Sequence, residues 1–303
     1  MPASGRGDDD ATQTGGPATG GVAPIGVEGT SRVYDRRSLT YSNTFDGRAT
    51  RELIRAIELA TGKLTILRRI RAFERRGTPT GQAFWRACLD VMGIDLATPA
   101  AQLANIPHDG PVVLVANHPH GLVDGMILAD LVGRVRLDYR ILTRSLLTGI
   151  DESAARFMIP VPFPHEPEAQ AKMIEMRRAA MAHLRDGGLV SLFPSGVVAT
   201  SETMFGPVIE AEWNVFTAKL IRTSGATVVP TFFPGANSRL YQIANRLSAK
   251  LRQGLLLHEI VHAMDTPQAP VVGAPIPPAD WADRIGDPRA FMAWLRARTL
   301  ALG

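Results

Sequence analysis

The sequence predicts an α/β fold: a mainly parallel central sheet flanked by helices, with a helical segment in front of it. Two patterns carry this expectation. Short apolar runs bounded by turn residues recur along the chain, as strands buried on both faces do. Stretches with helical spacing separate them, and strands that alternate with helices build parallel sheets.

The expected strands are Val112–Ala116, Asp138–Leu142, Met158–Phe163, Leu189–Phe193 and Thr227–Phe233. Helices are expected to fill Met126–Val132, Glu168–Arg185, Trp213–Thr223 and Ser238–Arg252 between and after them. Ahead of the sheet, residues 48–93 read as three helices. Leu53, Ile54 and Ile57 mark the apolar face of the first, which Gly62 should stop. The second, Lys63–Arg76, spaces Leu64, Leu67, Ile70 and Phe73 by three; the third covers Ala83–Met92. Residues 1–40 read as a disordered tail, the first thirty carrying eight glycines and no aromatic residue. Residues 41–303 then form one domain, with 105–303 as its α/β core.

Composition narrows the function. No run approaches the roughly 18 apolar residues of a membrane-spanning helix. Cys88 is the one cysteine, so neither an intrachain disulfide nor a cysteine-based zinc cluster can form. The first ten residues lack a secretory pattern, so a cytoplasmic setting is expected. The net charge is +4, but residues 1–30 set Arg6 against Asp8, Asp9, Asp10 and Glu28, a net −3, which leaves +7 for the rest. A basic body suits an anionic membrane, an acidic carrier protein or nucleic acid. No nucleic-acid module is recognisable and few aromatics interleave with the basic residues, so nucleic acid is not expected.

Active sites of open α/β sheets gather at the carboxyl ends of strands. The segment Asn117-His118-Pro119-His120-Gly121-Leu122-Val123-Asp124 lies at such an end. A carboxylate that accepts from one imidazole nitrogen fixes the tautomer and makes the other nitrogen a better base. His118 is the expected base and Asp124 its partner; His120 is the alternative. The bland reading is that Asp124 caps a helix and the histidines fill a turn.

Three further blocks weigh against that bland reading: Phe193-Pro194-Ser195-Gly196, Val228-Val229-Pro230 and Pro234-Gly235-Ala236-Asn237-Ser238-Arg239-Leu240. With the His…Asp segment they resemble, in order and separation, the phospholipid/glycerol acyltransferase superfamily. The likeness is closest to its bacterial lysophospholipid acyltransferase branch, often labelled hemolysin-like, and extends over about Tyr41 to Leu302. It implies an O-acyltransferase of lipid biosynthesis that moves a fatty acyl chain from an acyl-coenzyme A or acyl carrier protein thioester to a lyso-lipid hydroxyl. The thioester is a co-substrate and no cofactor is implied. Asn117, Gly121, Phe193, Pro194, Ser195 and Gly196 would form the oxyanion and substrate-binding surface, with backbone N–H groups around Gly196 as oxyanion donors.

This chain departs from the superfamily pattern. Five residues separate His118 from Asp124 where four are common, and Ser195 stands where the Phe-Pro block normally has glutamate. The arginine that usually holds an acceptor phosphate has no clear counterpart. Arg144 and Arg239, with Asn237, are the candidates for the acceptor head group, and a lyso-lipid suits them better than glycerol-3-phosphate.

Two rival readings remain. His258-Glu259-Ile260-Val261-His262 matches H-E-x-x-H, the pattern of zinc hydrolases. The missing glutamate and arginine would also suit a catalytically idle lipid-binding relative. The basic helical stretches Lys63–Arg76 and Arg239–Arg252 suggest an enzyme peripheral to the cytoplasmic face of an anionic inner membrane.

Overall fold

A computed structural model describes residues 39–45, 47–144, 152–162 and 168–303, with the side chains of Arg144, Glu152 and Ser153 outside the description. Most of the expected tail lies outside it too. Its last two residues are docked: Leu39 packs on the core, and the Thr40 hydroxyl donates to buried Glu58 at 2.6 Å.

In chain order the elements are α1 (Arg48–Glu58), α2 (Leu64–Arg75), α3 (Ala83–Met92), α4 (Ala100–Leu103), β1 (Val112–Ala116), α5 (Leu122–Gly133), β2 (Tyr139–Arg144) and α6 (Glu152–Ala155). Then come β3 (Met158–Val161), α7 (Ala169–Arg185), β4 (Leu189–Leu192), β5 (Thr200–Ser201), β6 (Val208–Ile209), α8 (Val215–Ser224) and β7 (Thr227–Phe232). The chain closes with α9 (Arg239–Leu247), α10 (Ala249–Gly254), α11 (Leu256–Ala263), β8 (Val271–Val272), α12 (Pro278–Trp281) and α13 (Pro288–Leu300).

The main sheet has the order β3-β2-β4-β1-β7-β8. Its first five strands are parallel, and the short edge strand β8 runs antiparallel to β7. The expected sheet is therefore present. β1 sits inside it, with Val113 beside Val190 of β4 and Val228 of β7. Its five residues are all buried and alternate between two cores. Val112, Leu114 and Ala116 face α2, α3, α5 and α11, whereas Val113 and Val115 face α7, α8 and α13. Helices cover both faces, which is why the strands read as continuous apolar runs. α5 is apolar on nearly every side and buried almost throughout, so it belongs to the core rather than the surface.

Several boundaries move. Gly62 does not stop the first helix; Leu59–Lys63 form a π-helical turn that joins α1 to α2. Gly62 is needed there for its lack of a side chain, because a Cβ would lie 2.8 Å from the Leu257 carbonyl oxygen on α11. The apolar faces shift as well. Ile54 and Ile66 are buried, but Leu53 and Leu64 are about half exposed. The expected helix Ser238–Arg252 breaks at Ser248, which is extended (φ −165°) and accepts the Lys250 N–H to start α10. β8 and the β5–β6 hairpin had no distinct signal, being two-residue strands.

The contact at Gly62 gives a test of the fold. Gly62→Ala should destabilise the protein by about 1–3 kcal/mol through forced displacement of α11, read as a lower urea midpoint at unchanged slope.

Candidate active site

β1, β4 and β7 end side by side, and the loops leaving them meet. Asn117, the first residue beyond β1, is buried, and its amide bonds both ways with the main chain of one residue, Phe233, at β7's exit. Nδ2 donates to the Phe233 carbonyl at 2.8 Å, and Oδ1 accepts the Phe233 N–H at 2.7 Å. Both polar atoms of Asn117 are thus engaged in joining two strand ends.

His118-Pro119-His120-Gly121 then turns the chain into α5. Gly121 has φ 79° and ψ −122°, a conformation open to glycine, and a Cβ there would press on Val198 at 3.3 Å. The turn brings both histidines and two backbone amides onto Asp124. His118 Nδ1 lies 3.0 Å from Oδ2, and His120 Nδ1 lies 3.0 Å from Oδ1. The backbone N–H groups of His120 and Gly121 donate to Oδ2 at 2.9 and 3.1 Å. Asp124 is wholly buried. Burial by itself would raise its pKa, but the hydrogen bonds and charges of the two histidines outweigh that effect and hold the carboxyl below its ordinary 3.8.

The sequence left His118 and His120 as competing partners of Asp124. The structure shows that each takes one carboxylate oxygen, and their surroundings differ. The His118 side chain is 17% exposed and stacks on the Phe193 ring, with centroids 3.9 Å apart at 20°. That of His120 is 8% exposed, and its Nε2 faces Gly235, where a Cβ would come within 2.9 Å. A pocket of about 310 Å³ opens beside His120, between Gly235, Ala236, Ala263 and Gln268.

The Phe-Pro block supplies packing more than donors. The Gly196 N–H, an expected oxyanion donor, donates to the Phe193 carbonyl at 2.9 Å, and the Gly121 N–H is held by Asp124. Both of these N–H groups are therefore already engaged within the site's own turns. The Ser195 hydroxyl closes the same turn on the Val197 carbonyl at 2.9 Å, and the Pro194 carbonyl accepts the Asn214 N–H at 3.0 Å.

Of the head-group candidates, Arg239 donates to the Gly206 carbonyl at 2.7 Å. Asn237 is buried, and neither polar atom of its amide finds a partner among the described residues. Arg144 ends β2, with its side chain outside the described residues.

Sequence reasoning missed Glu210. It is buried, its Oε2 accepts the His118 backbone N–H at 3.1 Å, and its Oε1 accepts the Trp213 indole N–H at 3.0 Å. Arg296 of α13 donates to its main-chain carbonyl. Ninety-two positions separate Glu210 from His118, and no local pattern marks it.

The H-E-x-x-H motif lies on α11 and stitches helices together. Glu259 accepts the N–H of Ser238, the N-cap of α9, at 2.7 Å and its hydroxyl at 2.6 Å, and His258 Nδ1 lies 3.2 Å from the Thr61 carbonyl. The zinc-hydrolase reading thus loses its general base to Ser238. Among the described residues no three of His, Cys, Asp and Glu are grouped to hold a metal ion.

A family model described as acyltransferase matches residues 32–264. The chain belongs to this acyltransferase family. It is 28% identical over 228 residues to the lyso-glycine lipid O-acyltransferase of Phocaeicola vulgatus, covering 68% of this chain and 76% of that one. It is 26% identical over 225 residues to the protein of the same description from Bacteroides thetaiotaomicron, covering 68% and 78%. Among solved structures, the 1-acyl-sn-glycerophosphate acyltransferase PlsC of Thermotoga maritima aligns with a TM-score of 0.48 at 14% identity, over 73% of this chain and 76% of that one.

For this acyltransferase, Asp124→Asn should weaken stability at pH 7 by about 1–3 kcal/mol, because the amide confronts two imidazole donors. The folded-state pKa of Asp124 lies below 3.8, so its ionised form stabilises the fold fully above that value and loses the effect as pH falls beneath it. Urea titrations of the two proteins should therefore differ at pH 7 and converge as pH drops below about 3.8.

Proposed function

We propose that this acyltransferase moves a fatty acyl chain from a thioester, acyl-coenzyme A or acyl carrier protein, to the hydroxyl of a lyso-lipid. The observation that carries the reading is the Asp124 carboxylate accepting His118 Nδ1, which leaves Nε2 as the basic nitrogen. His118 is the base because it is the more open histidine and is braced on Phe193; His120 is closed against Gly235.

His118 Nε2 takes the acceptor's hydroxyl proton as the oxygen attacks the thioester carbonyl carbon. The tetrahedral adduct collapses with cleavage of the C–S bond, and the imidazolium returns its proton to the departing thiolate. Ester and free thiol are the products, and the dyad is restored. Asp124 steadies the imidazolium between the two transfers. Each step balances with these groups and the two substrates, so no cofactor enters the scheme.

The acceptor is a lyso-lipid with an amino-acid head group, a choice supported by the descriptions of the two relatives. Asn237, buried with an amide lacking partners among the described residues, is the proposed head-group contact. The enzyme works peripherally on the cytoplasmic face of an anionic membrane. Among the described residues no helix is long and apolar enough to cross one. In support, α2 exposes Arg68, Arg71 and Arg75, its C-cap Arg76 is exposed too, and α1 and α2 expose Leu53 and Leu64.

Thiol release from palmitoyl-coenzyme A and palmitoyl-acyl carrier protein across a panel of lyso-lipids tests the proposal. Release should require a lyso-lipid, be greatest with an amino-acid head group, and ignore chelator. His118→Ala should lower kcat by about 100-fold or more at unchanged fold. Activity that survives in His118→Ala but vanishes in His120→Ala would reassign the base. Silence across the panel would favour an idle lipid-binding relative.

A further inference from the structure

The chain from Ala199 to Glu210 starts and finishes on the peptide groups of a single residue. At one root the Ala199 N–H donates to the His118 carbonyl at 2.8 Å; at the other, Glu210 Oε2 accepts the His118 N–H at 3.1 Å. Between them β5 and β6 pair, Thr200 with Ile209 and Ser201 with Val208. The Ser201 N–H donates to Gln242 Oε1 of α9 at 2.8 Å, which fixes the hairpin to that helix.

The tip has a different character. Phe205 is 78% exposed and Met204 39% exposed. They are presented on a braced turn, because the Ser201 hydroxyl donates to the Thr203 carbonyl at 2.6 Å. Arg239 lies against the tip through its bond to Gly206. The following helices expose Leu240, Arg246, Leu247 and Lys250, and residues 239–252 include no acid. Glu202 is the exposed acid of the hairpin, and Glu210 is buried at its root. An exposed aromatic on a stiff turn, next to leucines and a run of uncompensated cations, matches the interface of an anionic bilayer. Its apolar groups enter the acyl boundary and its cations meet lipid phosphates.

We propose that this hairpin is where the active site meets the membrane: its apolar tip seats in an anionic bilayer while its roots hold His118 in position. The inference rests on the lyso-lipid reading above. Phe205 lies six positions from the Ala199 root and five from the Glu210 root, so a seated tip keeps His118 within about 20 Å of the lipid it contacts. Glu210 is a positioning residue in this scheme. It acts on the base through the main chain of His118 and is itself held by Trp213 and Arg296.

Two variants separate the two ends. Sedimentation with vesicles of equal parts phosphatidylglycerol and phosphatidylcholine, without donor, reads docking. Thiol release with vesicle-borne lyso-lipid and with a monomeric short-chain acceptor reads chemistry. Phe205→Asp should weaken vesicle binding by about tenfold or more, since a charge replaces buried apolar surface. It should raise KM for the vesicle-borne acceptor in step, with kcat on the monomeric acceptor preserved. Glu210→Gln should bind vesicles with wild-type affinity and keep both KM values, while kcat falls about tenfold or more on both acceptors. Should that variant not fold, Glu210→Asp carries the same test, because its carboxylate is one methylene short of the His118 N–H.

Wild-type vesicle binding by Phe205→Asp overturns the docking assignment. So does a loss confined to acyl carrier protein, which would give the surface to the carrier. Unchanged kcat in the Glu210 variants overturns the positioning role. A wild-type protein that acylates nothing, alongside a Phe205→Asp protein that still leaves the vesicles, would sink the lyso-lipid reading and keep the docking surface.

Discussion

A carboxylate taken out of water is costly unless its lone pairs are met by donors, and Asp124 is wholly buried. Its donors all come from the four residues before α5: two imidazole nitrogens and two backbone amides. The turn from His118 to Gly121 and the ionised state of Asp124 therefore depend on each other. If the turn relaxes, the charge is stranded in the core; if the charge is neutralised, the turn loses what it closes upon. The rest of the site builds on this arrangement. α5 is rigid because nearly all of it is core, so the carboxylate is placed by the packing of the domain itself.

The two histidines share one carboxylate without being equivalent. Phe193 braces one ring face of His118 and leaves part of the side chain open, whereas the loop after β7 closes over His120. A histidine that proffers a lone pair to substrate needs access as well as a fixed tautomer. In this division His120 completes the coordination of Asp124 and walls the neighbouring pocket.

Much of this was legible in the sequence. The five parallel strands were, because helices on both faces make each strand a plain apolar run with turns at its ends. The His118–Asp124 pairing was too, since its residues lie within one loop. What escaped needed contacts distant in the chain. Gly62 looked like a helix stop because its lack of a Cβ serves a close approach by Leu257, far along the sequence. Leu53 and Leu64 kept helical spacing yet turned outward, and spacing alone does not say which face is covered. Gly196 sat where an oxyanion donor belongs, but its N–H closes its own turn. H-E-x-x-H has the spacing of a metal site, yet its glutamate holds the capping serine of another helix. Glu210 left no trace because a single glutamate in a polar stretch is a common thing, and only the fold brings it under His118.

The amide of Asn117 carries a last consequence. A side-chain amide has the same donor and acceptor as a peptide, so the bonds to Phe233 amount to one more rung of the ladder between β1 and β7, made without the backbone of β1. The main chain of β1 is released from the sheet a residue early while the ends of β1 and β7 stay joined. That release lets Pro119 and Gly121 bend the chain back so sharply, and it sets the imidazole of His118 at the rim of the sheet rather than beyond it. A hydrophobic residue at 117 would leave the N–H and C=O of Phe233 without these partners in the interior; a longer strand would carry His118 past Asp124. Asparagine joins the two strand ends and frees the chain to turn at the same point.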